Sequence, residues 1–173
     1  SSYCGGNDDD DSFGITTDNN NNIYVIGITA SDNFPQTDNP NIIERINKRF
    51  GKAKDGFIIK IRSNGTPVWS EYYGGSDFEY VKGIVTDQNG GIYVCGYTQS
   101  TDFRVTSSAI QKSNNGGTDG FVMRFDAFGS VIWSSYFGGD NYDALYSISI
   151  DSSSLRQPKI ILCGTTQSTN LQN

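Results

Sequence analysis

Apolar residues along this chain come in short blocks, each closed by Gly, Asn, Asp or Ser. Blocks of this length bounded by turn formers predict β-strands rather than helices. In mid-chain the pattern predicts four: Lys82–Asp87 (strand a), Gly91–Thr98 (b), Asp119–Phe125 (c) and Ser130–Phe137 (d). Strand b runs Ile92, Tyr93, Val94, Cys95, apolar on both faces, which predicts an inner strand held between neighbouring sheets. Asp87–Gly91 turns a into b, Asp126–Gly129 turns c into d, and the longer stretch Gln99–Thr118 joins b to c. At the earlier c–d position, Asn64-Gly65 predicts a type I′ hairpin, since both residues tolerate positive φ.

The same order returns along the chain. Trp69-Ser-Glu-Tyr-Tyr-Gly-Gly75 reappears as Trp133-Ser-Ser-Tyr-Phe-Gly-Gly139, and Ser1-Ser-Tyr-Cys-Gly-Gly6 is the same phrase shortened. An a–b pair follows each copy: Gly14–Asp18 with Asn22–Gly27, Gly83–Asp87 with Gly91–Gly96, and Ser147–Asp151 with Lys159–Gly164. The glycine pair recurs after 69 residues (Gly5 to Gly74) and after 64 (Gly74 to Gly138). A period of this size made only of strands predicts a stacked all-β array.

Four-stranded antiparallel sheets packed face to face around an axis make a β-propeller, with an open solenoid of the same blades as the rival. The predicted fold is therefore all-β, a propeller-type array of four-stranded antiparallel blades, about two and a half of them here. Residues 1–6 read as the last strand of a preceding or partner blade. Residues 7–75 form a first blade with a long b–c loop at 32–54, 76–139 a second, and 140–173 the first half of a third. The phrases Trp-Ser-x-Tyr-aromatic-Gly-Gly, Gly83-Ile-Val-Thr-Asp-x-x-Gly-Gly-Ile-Tyr-Val-x-Gly-Tyr-Thr-x-Ser-Thr-Asp-Phe103 and Gly116-Gly-Thr-Asp-Gly-Phe-Val122 resemble the SBBP-type β-propeller repeat family. The second repeat, Trp69 to Trp133, resembles it throughout, the first has five extra residues between b and c, and the third follows it as far as Asn170. The a–b portion also resembles NHL-type blades. The resemblance implies secreted or surface-exposed modules with no shared catalytic residues. Since propellers close with ~4–8 blades, further blades are expected, from a longer chain or from other copies in head-to-tail contact.

Alternating strand directions place the d–a and b–c loops on one rim and the tight turns on the other. The first rim gathers the acidic residues Asp8, Asp9, Asp10, Asp11, Asp77, Glu79, Asp140 and Asp143, and the basic stretch containing Arg45, Lys48 and Arg49, so it is the expected interaction face. Within that stretch, Ile42, Ile43, Ile46 and Phe50 predict one face of a short helix packed on the rim, with Ala109–Lys112 its shorter counterpart. Calcium favours carboxylate-rich loops, but the acidic spacing varies between repeats and the turn at Asp18–Asn22 reads as a plain hairpin, so no cofactor is expected. Asn64-Gly65-Thr66 is a glycosylation sequon at an exposed hairpin tip. Tyr3, Trp69, Tyr72, Trp133 and Tyr136 recur in register, which predicts packing between blades. Cys95 and Cys163 hold equivalent places on neighbouring sheets, too far apart to bridge, and read as small buried hydrophobes.

Composition narrows function mainly by exclusion. A net charge of −6 and a pI of about 4.5 disfavour nucleic acid. No stretch reaches the ~18 apolar residues of a membrane helix, so no membrane insertion is expected. No secretory leader is visible in a sequence that opens in mid-repeat. The absence of histidine removes Ser-His-Asp and Cys-His catalysis and His-ligated zinc. Paired carboxylates remain the one enzymatic chemistry open, but no such constellation is apparent. The expected role is a non-enzymatic extracellular or cell-surface module in surface structure, adhesion or filament assembly. Its partners would be other copies of itself or further blades. Glycan or protein recognition through the acidic rim is the alternative.

Overall fold

The computed structural model describes residues 4–35, 53–151 and 159–171, and among them it contains ten strands and no helix. The strands are β1 (Asp10–Thr17), β2 (Ile23–Thr29), β3 (Asp55–Ile61), β4 (Pro67–Tyr73), β5 (Glu79–Thr86), β6 (Ile92–Thr98), β7 (Asp119–Phe125), β8 (Val131–Phe137), β9 (Asp143–Asp151) and β10 (Lys159–Thr166). They form two four-stranded antiparallel sheets, β1-β2-β3-β4 and β5-β6-β7-β8, and a two-stranded β9–β10 sheet. These are propeller-type blades. No strand occurs at residues 4–6, and the predicted helix around Ile42–Phe50, with Arg45, Lys48 and Arg49, lies outside the described residues, as does Tyr3.

One turn design serves three hairpins. The Oδ1 atoms of Asp18, Asp87 and Asp126 each accept backbone N–H groups two and four residues on, at 2.8–2.9 Å. The residue three places on is left-handed: Asn21 (φ 58°), Gly90 (φ 82°) and Gly129 (φ 90°). The hairpin at Asn64 corrects the type I′ expectation. Asn64 is not among the positive-φ residues, Gly65 alone is (φ 84°), and Gly65 N–H bonds to the Arg62 carbonyl. That is a type I turn followed by a left-handed glycine, the usual three-residue hairpin.

A bulge shifts register between Ser12 and Gly14, between Val81 and Gly83, and opposite Cys163/Gly164. It explains why β5 begins at Glu79 and not at Lys82: the extra residue reverses the in–out alternation, so pattern alone stops at the bulge.

The core lies between sheets. Tyr24, Ile26, Ile58, Trp69 and Tyr73 of the first pack against Ile92, Val94, Phe121, Met123 and Phe125 of the second. Tyr93, Cys95 and Val122 then pack against Leu145 and Ile148 of the third. Each sheet therefore depends on its neighbour for burial, at about 1.5–3 kcal/mol per large side chain. Trp69, Tyr72 and Tyr136 are buried as expected. Trp133 is only half-buried, and Cys163, expected to be buried, is exposed, because no described strand or sheet covers that side of β10. Around Ala109–Lys112 the helical expectation also fails: Ile110 is exposed, while Gln111 turns inward to bond Asp119 and Gly138.

Candidate functional site

At the rim of d–a and b–c loops, one hydrogen-bond network is built three times. After each glycine pair, an acid on the first strand accepts the N–H of the second glycine: Asp10 from Gly6 (2.7 Å), Glu79 from Gly75 (3.2 Å), Asp143 from Gly139 (2.7 Å). A serine from the b–c loop donates to the same carboxylate: Ser31 at 3.0 Å, Ser100 at 2.6 Å and Ser168 at 2.6 Å. The hydroxyl of each serine accepts a backbone N–H from the d–a loop, of Asp8, Asp77 and Asn141. Two residues on, Asn33, Asp102 and Asn170 accept the N–H groups of Asn7, Ser76 and Asp140. The network ties two loops together at each step and consumes most of their polar groups.

It also accounts for both glycines of the repeated pair. A Cβ on Gly75 would lie 2.5 Å from Ser100 Cβ, and one on Gly6 2.4 Å from Ser31 Cβ. A Cβ on Gly74 would sit 2.4 Å from Asp55 Oδ1 and 2.5 Å from Glu79 Oε2. Those two distances put the carboxylates of β3 and β5 face to face across the sheet junction. At the next junction Gly138 separates Asp119 from Asp143, each with an oxygen 2.9 Å from where a Cβ on Gly138 would lie. Glu79 is fully buried, Asp119 likewise, and Asp55 and Asp143 nearly so. Burial, with Asp55 adding to it, pushes the Glu79 carboxyl up to about 8, against hydrogen bonds from Ser100, Thr98 and Gly75. Asp119 is also raised, by burial first and then by Asp143. At about 8, the Glu79 carboxyl holds its proton through most of the neutral range.

The acidic rim therefore divides. Asp8, Asp9, Asp11, Asp77 and Asp140 are exposed, Asp10 is half-buried, and Glu79 and Asp143 are interior groups rather than surface ones. Lys54 reaches Asp11 at 3.1 Å and Asp9 at 3.8 Å, so part of the acidic loop is already neutralised. Among the described residues no three metal-ligating side chains converge. Asp18, whose loop has a calcium-like beginning, spends its oxygens on Asn20, Asn22 and the Tyr24 hydroxyl. Asn64 stands exposed on its turn.

Beside this rim lies an aromatic cluster that sequence reading missed. Tyr80 and Tyr97 stack at 4.8 Å, and Phe78, Tyr142 and Tyr146 lie about them at 6.2 Å. Lys82, the bulged residue, holds its ammonium 4.1 Å over Phe13 and under 6 Å from Tyr80 and Tyr97. On the opposite rim a cavity of about 240 Å³ is lined by Asp18, Asn20, Lys60, Asp87, Asn89 and Ala127. Its lysine is committed to the Ala127 carbonyl at 2.9 Å.

The SBBP beta-propeller repeat model matches residues 1–35 and 68–104. This chain carries SBBP beta-propeller repeats. No curated protein matches it. Each matched SBBP segment includes the glycine pair, the acid that follows it, and the Thr-x-Ser-x-(Asp/Asn) stretch, which together build the rim network.

Proposed function

We propose that this SBBP-repeat chain is a non-enzymatic extracellular interaction module, working in surface structure, adhesion or filament assembly by stacking head to tail on further blades. The observation that carries the reading is a row of equivalent isoleucines. Ile84 of β5 packs on Gly14 of the first sheet, 3.2 Å from the position of its Cβ, and Ile148 of β9 packs on Gly83 in the same way at 3.1 Å. Ile15 is the equivalent residue of β1, and it is 69% exposed. At the other end, Ser147 occupies the place of Gly14 and Gly83 and is also exposed. A face seeking a sheet and a sheet lacking its neighbour form a heterologous pair, which yields rings or filaments. The extracellular setting is part of this proposal, and the exposed sequon at Asn64 suits it.

Sedimentation velocity over a concentration series tests the reading. The chain should associate, Ile15→Asp should remain monomeric with unchanged circular dichroism, and protease treatment of intact cells should remove the protein. A monomer at every concentration, or association untouched by Ile15→Asp, refutes head-to-tail stacking. Recognition of a glycan or protein at the rim is a second reading, favoured by the half-exposed Tyr80–Tyr97 stack. It requires a ligand from a glycan array whose binding is lost in Tyr97→Ala.

A further inference from the structure

The three bulges leave one residue of each first strand without a partner across the ladder: Phe13 on β1, Lys82 on β5 and Tyr146 on β9. A bulge re-aims the side chain of its extra residue, and bulges recur beside active sites for that reason. Phe13 and Tyr146 are both aromatic, and each is 43% exposed. Lys82 stands between them, on the middle sheet. That sheet has a packed neighbour on either side, yet Lys82, Tyr80 and Tyr97 all stay half-exposed. Their accessibility therefore belongs to the interior of the stack and owes nothing to where the described residues begin or end.

The ammonium of Lys82 lies 4.1 Å over the Phe13 ring, 5.8 Å from that of Tyr80 and 5.9 Å from that of Tyr97. Among the described residues it has no hydrogen bond and no ion pair. Lys54 differs, with Asp11 at 3.1 Å and Asp9 at 3.8 Å. Aromatic faces displace part of the water around an ammonium and leave its N–H donors without a full acceptor. An anion arriving at Lys82 meets a cation already partly stripped of water. Hydrogen bonds from Thr165 and Tyr142, and then the Lys82 charge, hold the Tyr146 phenol below its ordinary value, so the cation faces Tyr146 as well as Phe13. Tyr80 and Tyr97 pair across the ladder and stack at 4.8 Å, which places both phenols on one face of the sheet.

One ligand chemistry suits a free cation flanked by exposed rings with phenol hydroxyls alongside. A pyranose bearing a carboxylate lays an apolar C–H face on a ring, gives its charge to the ammonium and its hydroxyls to the phenols. The exposed acids Asp77 and Asp140 on the same rim, and a net charge of −6, oppose a polymer charged at every unit and favour isolated carboxylates. An acidic peptide brings the same charge, but flat rings and phenol hydroxyls favour the sugar. We infer that the bulge row of Phe13, Lys82 and Tyr146, with Tyr80 and Tyr97 beside it, binds an oligosaccharide containing a uronic acid, its carboxylate on Lys82 and its sugar faces on the flanking rings. This rests on the second reading above, the rim as a recognition face, and names its ligand class.

The probe is a hyaluronan octasaccharide, in which glucuronate alternates with an uncharged sugar, titrated by calorimetry into the 173-residue chain. The control is the same oligosaccharide with its carboxylates methyl-esterified. The acid should bind about 10-fold more tightly than the ester, the low end for a hydrogen bond to a charged group. Lys82→Met keeps the apolar stem and should bind acid and ester alike, while Phe13→Ala should weaken both about 3- to 10-fold. Circular dichroism checks that each variant is folded. Four results overturn the inference: equal binding of acid and ester, a preference for the acid that survives Lys82→Met, unchanged affinity in Phe13→Ala, or no binding of the acid to the folded chain. Tighter binding of a glutamate-rich peptide than of the octasaccharide also overturns it. A neutral glycan whose binding is lost in Tyr97→Ala leaves rim recognition standing without the acidic sugar, so the two readings fail separately.

Discussion

Glutamine at position 79 is the most informative single change, because it isolates the proton that a sheet junction holds. Moving a carboxyl from its ordinary 4.5 to about 8 is worth about 5 kcal/mol at roughly 1.4 kcal/mol per pH unit. The sign follows from proton uptake. Glu79 binds its proton more tightly folded than unfolded, so its contribution is complete below pH 4.5 and is lost as pH rises through about 8. The groups facing it are Asp55 from β3, whose charge raises it, the Thr98 and Ser100 hydroxyls and Gly75 N–H, which donate to it, and the buried phenol of Tyr73, itself held well above its ordinary value by burial, Cys95 and Glu79. Glu79→Gln preserves shape and the acceptor for the two hydroxyls, but places an amide against Gly75 N–H, at a cost of about 1 kcal/mol. Urea unfolding followed by tryptophan fluorescence from pH 5 to 9 should show wild-type stability falling across the window. The variant should be less stable at pH 5, much flatter in slope, and more stable than wild type at pH 9. Asp119, raised by burial and then by Asp143, leaves a residual slope of the same sign. Wild-type stability that stays level or rises with pH, or a variant that keeps the full slope, refutes a shared proton at the junction.

Two further changes probe the backbone around the network. Gly74→Ala drives a methyl group between Asp55 and Glu79, both buried, and should lower stability by about 1–3 kcal/mol in the same urea assay; an unchanged midpoint would mean that the carboxylates separate freely. At the β1–β2 turn, Asn21 holds φ 58° where the other turns use glycine, so Asn21→Gly should hold or raise stability by a few tenths of a kcal/mol while Asn21→Ala should lower it by about 1 kcal/mol.

Strand order and sheet composition were readable because the glycine pair and the doubly apolar second strand recur with little variation. What escaped the pattern did so for stated reasons. Glu79 and Asp143 looked like loop acids, because a carboxylate one residue into a strand resembles a surface charge until a serine far along the chain is known to bond it. The signal was present, however: an acid four residues after the second glycine, and Thr-x-Ser-x-(Asp/Asn) at the end of the next strand, accompany one another in all three repeats. Bulges at Phe13 and Lys82 hid the start of the first strand and scattered the aromatic residues beside it, so no periodicity announced the cluster around Tyr97. Cys163 and Trp133 were read as core by equivalence, and equivalence fails where no sheet among the described residues lies over them.

The matched segment 68–104 does not outline a sheet. It begins on the last strand of one, crosses the glycine pair, and ends beyond the second strand of the next. What the sequence repeats is thus a junction, and the junction carries the interlocked groups: one glycine clearing space for two carboxylates and the next admitting the serine. Under this logic the first sheet exposes half a junction. Gly5 faces Asp10 alone, where Gly74 and Gly138 each face two acids, and Asp10 Oδ1 is buried without a hydrogen-bond partner among the described residues. A strand beginning with aspartate, docked against Ile15, would supply the second carboxylate.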